Sequence, residues 1–77
     1  RAKAHEREAR AHERRLAEIE AEVERLAARK AELETLLADP ATYQDHARAG
    51  ELSREHARIV QELEAHEALW LEIAAGG

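Results

Sequence analysis

Five histidines, at positions 5, 12, 46, 56 and 66, stand in a chain of 77 residues. Imidazoles can bind a metal or take up a proton near neutral pH. His5 and His12 are seven residues apart and would share one helical face. A metal site needs its ligands to converge within a few Å. His56 and His66 fall on different layers of one helix, so they cannot share an ion within one molecule. Zero Cys removes zinc thiolate sites, disulfides and thiol nucleophiles, and fits a reducing cytosol. Ser53 is the single serine, with His56 one turn away. A hydrolytic pair also needs an oxyanion site and an orienting group, and none is recognisable. Phosphate-binding loops, dinucleotide fingerprints and the HExxH pattern are missing from the sequence. These residues therefore assign no catalytic group, no metal ligand and no cofactor.

The opening run of cations has a more definite chemistry. Residues 1–15 hold six basic side chains (Arg1, Lys3, Arg7, Arg10, Arg14 and Arg15) and three acidic ones. The remaining 62 residues hold six basic and fourteen acidic ones, which together make a net charge of -5. On a helix Lys3, Arg7 and Arg14 lie near one face and Arg10 neighbours it. Such a rod can contact phosphates, so Lys3, Arg7, Arg10, Arg14 and Arg15 are the candidate nucleic-acid-binding residues. The overall acidity speaks against nucleic acid covering the whole surface.

The elements that carry these residues follow from composition and spacing. Charged residues make up 38% of the chain; there is no Phe or Met, one Pro and three Gly. This mixture of helix formers suits a coiled coil and excludes a large core enclosing a site. Leu16, Ile19, Val23, Leu26, Leu33 and Leu37, with Lys30 filling the gap, recur at 3-4-3-4-3-4, a heptad seam. Before Leu16 the seam positions are Ala2, His5, Ala9 and His12, which give a helical arm without an apolar face. A second seam runs through Leu52, His56, Ile59, Leu63, His66, Trp70 and Ile73. No apolar run is long enough to span a membrane, and no signal peptide is visible.

Between the seams, Asp39-Pro40 reads as an N-cap followed by Pro at the first helical position, opening a short helix through Tyr43. Asp45 is a second cap, and the ring of Tyr43 packs over the tip with its hydroxyl in water. Folding there pairs the seams antiparallel, with Leu33 facing His56, Leu26 facing Leu63, Ile19 facing Trp70 and Leu16 facing Ile73. The expected fold is all-α: an antiparallel two-helix coiled-coil hairpin with a short capped turn. Its parts are a basic helical neck over 1–15 and a hairpin over 16–75, with helices 16–37 and 51–74 and a tip at 38–50. Ile19, Leu26, Pro40, Tyr43, Leu63 and Trp70 are the structural residues. Protonation of His56 or His66 on the seam should cost stability. Leu36, Val60, Leu69 and Leu71 form a residual face suited to weak self-association.

The stretch Leu33-Glu34-Thr35-Leu36-Leu37-Ala38-Asp39-Pro40-Ala41-Thr42-Tyr43 resembles the hairpin tip of the carboxy-terminal domain of ABC-F ATPases, the Uup-like members above all. Glu51-Leu52 opening the second helix and Trp70 near its end extend the resemblance, which covers about Ile19 to Ile73. His56 and His66 stand where that family usually has Leu. His46 stands where a second Pro is common, and Leu69 replaces an Arg before Trp70, which removes a positive charge.

The resemblance implies a non-catalytic domain of a larger cytoplasmic bacterial protein. The parent would carry two ATP-binding cassettes using ATP and Mg, with no membrane part. The domain would bind DNA or ribosomal RNA and modulate the ATPase, with the basic arm as its neck. The alternative from the residues alone is a protein-protein interaction or dimerisation coiled coil without nucleic-acid binding.

Overall fold

Two helices, α1 over Ala2–Ala38 and α2 over His46–Gly76, form an antiparallel hairpin in a computed structural model that describes residues 2–76. The rod measures 63 × 15 × 14 Å. A one-sided helix of this length is stable only when its apolar stripe is covered. Here the two stripes cover each other. Leu26, Leu33, Leu52, Ile59 and Leu63 form the core, with Val23, Leu36 and Leu37 packed against it. Leu33 is 0% exposed and sits deepest. Burying one such side chain contributes about 1.5–3 kcal/mol.

The register follows from contacts across the hairpin. Arg29 reaches Glu55, Glu34 reaches His56, and Trp70 reaches Glu20. All three agree with Leu33 facing His56 and Ile19 facing Trp70. Carried to the open end at 1.5 Å per residue, this register sets Gly76 near Glu13. Residues Ala2–Arg10 of α1 run past α2 and are exposed throughout.

The tip is built from capping bonds. Asp39 caps a 3-10 helix over Pro40–Gln44, and its carboxylate accepts the Ala41 N–H at 3.0 Å. Pro40 stands at the first helical position, where a missing N–H costs nothing. Thr42 Oγ1 donates to the Leu36 carbonyl at 2.5 Å, and Tyr43 Oη donates to the Leu37 carbonyl at 2.7 Å. Two of the last carbonyls of α1, which have no partner inside the helix, are thereby satisfied. Asp45 then accepts the Arg48 N–H at 3.0 Å and starts α2.

Four expectations change. The tip is shorter than 38–50, because α2 begins at His46 and carries 46–50 as helix. Ala49 is buried there as an extra core residue. The Tyr43 hydroxyl is not left to water but closes α1, while its ring is 49% exposed. Leu36 is not part of an outer face, since it packs on the core. Finally, His56 faces a carboxylate rather than bare apolar surface. Its Nε2 lies 3.0 Å from Glu34 Oε2.

Candidate nucleic-acid interface

The basic residues of the arm are placed by an uninterrupted helix. No break separates residue 15 from residue 16, so the arm and the first strand of the coiled coil are one rod. Lys3, Arg7, Arg10 and Arg14 follow each other at 4-3-4 spacing. At 100° per residue they fall within an arc of roughly 60°, and the stripe is about 16 Å long. The seam residues Leu16, Ile19 and Val23 point the opposite way. Arg15 lies about a third of a turn from the stripe, on a separate line. All five side chains are exposed, and none makes an ion pair among the described residues. Arg1 lies outside the described residues.

Two arginines of the hairpin behave differently. Arg29 donates from Nε to Glu55 Oε2 at 2.8 Å and from Nη2 to Glu55 Oε1 at 2.9 Å, and it also reaches Glu32. These bonds hold the Glu55 carboxyl below its ordinary pKa and push the Arg29 pKa up. Arg25 pairs with Glu22, which lowers the Glu22 carboxyl and raises the Arg25 pKa. Both guanidiniums are engaged within the rod. Charges already paired with carboxylates offer a phosphate less than unpaired ones do. Arg48, Arg54 and Arg58 are exposed and also make no ion pair among the described residues, but the arm is where four unpaired cations line up on one face.

Chemistry of other kinds finds no assembly. No group of three or more His, Cys, Asp or Glu side chains converges on a metal position among the described residues. His5 and His12 share the seam face of the overhanging arm. The Nδ1 of His66 bonds the Glu62 carbonyl at 2.7 Å in its own helix. His56 Nε2 is directed to Glu34, not to a reacting partner. No helix among the described residues is long and apolar enough to cross a membrane.

The structural residues occupy the places that hold the rod in shape. Ile19, Leu26 and Leu63 are buried in the seam. Pro40 and Tyr43 form the capped turn. Trp70 is half-buried near the open end, and its Nε1–H donates to Glu20 Oε1 at 3.0 Å. The family model for the ABC transporter C-terminal domain matches this architecture over residues 7–75. The chain belongs to that family. No curated protein and no solved structure matches it. As an ABC transporter C-terminal domain, it carries the match through most of the basic arm, both seams, the Asp39-Pro40 tip and Trp70.

Sequence spacing did not reveal the Arg29–Glu55 clasp of this ABC transporter C-terminal domain. A signal was present. With Leu16 at position a, Arg29 falls on a g position of α1 and Glu55 on a g position of α2. Antiparallel coils bring such positions together across the seam.

Proposed function

We propose that this domain is the nucleic-acid-binding and regulatory hairpin of a bacterial ABC-F ATPase. The arm grips the phosphate backbone of DNA or ribosomal RNA with Lys3, Arg7, Arg10 and Arg14, and Arg15 reaches an adjacent phosphate. The carrying observation is the stripe of four cations, aligned on one face and unpaired, while Arg25 and Arg29 are tied to glutamates. A straight row of point charges positions a backbone without reading bases, so binding is shape-directed and weakly sequence-specific. In this reading the parent binds ATP and Mg in its cassettes and works in the cytoplasm. The rigid α1 rod transmits nucleic-acid contact to the cassettes.

Fluorescence anisotropy against duplex DNA, single-stranded DNA and a structured RNA, titrated across salt, tests the reading. Five phosphate contacts give a log–log salt slope of roughly -4 to -5 on duplex DNA. Replacing Arg10 with Gln reduces that slope by about 1. The triple substitution of Arg10, Arg14 and Arg15 to Gln abolishes binding. Unchanged affinity in that variant would refute the assignment.

A further inference from the structure

The open end of the hairpin carries a shallow groove lined by Glu20, Val23, Glu24, Glu67, Trp70 and Leu71. Its floor is apolar: Val23 and Trp70 are half-buried, and Leu71 is 62% exposed beside them. Its rim is acidic. Glu20 and Glu67 occupy e positions on facing helices, so the register sets two like charges across one seam. The nearest equivalent elsewhere is Glu22 opposite Glu62, and there Arg25 pairs with Glu22 and attracts Glu62. No cation performs that service in the groove: Glu20, Glu24 and Glu67 make no ion pair among the described residues. An aromatic ring flanked by unneutralised carboxylates suits a guanidinium or ammonium group, which can stack on the ring and bond the rim.

The molecule itself displays the complementary surface. Lys3, Arg7, Arg10 and Arg14 form an unpaired stripe on α1, a quarter turn around the helix from Glu20 and Glu24 and roughly 10–25 Å further along it. Because α1 is one continuous helix, the stripe cannot fold back onto its own groove. A second copy lying antiparallel along α1 can reach it. Each arm then lies beside the other copy's groove, both contacts form at once, and the two-fold arrangement closes. We infer that the Trp70 groove docks the basic arm of a second copy of this chain, forming a salt-sensitive antiparallel dimer. The contact joins the basic arm of one copy to the acidic groove of the other, two oppositely charged surfaces that both lie at the open end of the rod. It does not depend on nucleic-acid binding, and its test contains no nucleic acid.

Trp70 is the only tryptophan and lies in the groove, so its emission reports occupancy. Sedimentation velocity and Trp emission are recorded on the 77-residue chain over a concentration series, at low and high salt. At low salt the apparent mass rises from 8.7 kDa toward about twice that value as Trp70 emission shifts. High salt returns the monomer. Two variants are compared, Glu24→Gln/Glu67→Gln in the groove and Arg7→Gln/Arg10→Gln/Arg14→Gln in the arm, each checked for helicity by circular dichroism. Each alone stays monomeric at concentrations where the parent chain dimerises. Mixed together they associate, because the intact arm of the first still fits the intact groove of the second. A monomer at every concentration overturns the proposal, as does association that persists in the arm variant or fails to return on mixing.

Discussion

Arg29 and Glu55, 26 residues apart in the chain, form a two-pronged ion pair across the hairpin, with N–O distances of 2.8 and 2.9 Å. The pair lies on the flank of the seam beside Leu33 and Ile59. It ties α1 to α2 at one register, because a shift of α2 along the seam separates the fork from the carboxylate. Exposed ion pairs add little to stability individually. A bidentate pair adds geometric specificity, which a uniform leucine seam supplies poorly.

Exchanging the partners tests that role. Arg29→Glu alone places two carboxylates face to face and lowers the melting temperature. Adding Glu55→Arg to the same chain recovers most of the loss. Thermal melts followed by circular dichroism on the two single variants and the double one provide the coupling. Additive losses in the double variant would show that the pair has no cross-helix role.

One heptad nearer the open end, the same g positions hold Glu22 and Glu62, two like charges that Arg25 relieves from the side. Replacing Glu62 with Arg turns this layer into a copy of the Arg29–Glu55 layer. The expected outcome is a higher melting temperature, reduced by added salt. A melting temperature at or below that of the parent chain contradicts the register argued above.

The acid dependence has a definite sign. Arg29 holds the Glu55 carboxyl below its ordinary pKa of 4.5, and the hydrogen bond from His56 does the same for Glu34. A carboxylate whose folded pKa is lowered contributes stability above its unfolded pKa. That contribution disappears as pH falls through the folded value. Glu55→Gln removes one such contribution, so the melting temperature of this variant falls less between about pH 6 and about pH 3 than that of the parent chain. Melts across that range, compared at constant salt, provide the check.

Gly50 sits inside α2, where a glycine weakens the helix. A Cβ at this position meets only the Arg54 guanidinium, at 3.3 Å, and that flexible side-chain end can move aside. Gly50→Ala therefore stabilises the hairpin by about 0.5–1 kcal/mol, read from urea unfolding.

Leu33 is fully enclosed at the centre of the core. Leu33→Ala loses its transfer free energy and leaves a void, costing about 2–5 kcal/mol. A domain with so narrow a core has little reserve, so chemical denaturation should find the variant largely unfolded at room temperature. Trp70→Leu, at the frayed end of the seam, should cost less than Leu33→Ala in the same assay.

Heptad spacing and two cap residues contained the fold. Leu16 to Leu37 and Leu52 to Ile73 each mark a stripe of the same length, and Asp39-Pro40 marks the only stop between them. An antiparallel pair is then the one short-looped solution that buries both stripes. The basic character of the arm was equally legible, because an alanine- and charge-rich helix needs no tertiary partner to order its faces. What depended on the folded chain was the pairing of polar groups. Tyr43 closing the Leu37 carbonyl, His56 meeting Glu34 and Trp70 meeting Glu20 join residues whose spacing in the chain carries no signal, and the matching g positions of Arg29 and Glu55 meet only in the folded register. The cap at Asp45 already marked a helix start at His46, but its regular course through Gly50 depends on the fold, where Ala49 is buried. The physical reason is common to all of them. An apolar stripe is a periodic property of one segment, whereas a hydrogen bond between side chains needs two segments held within about 3 Å in one orientation. Only the register of the finished hairpin does that.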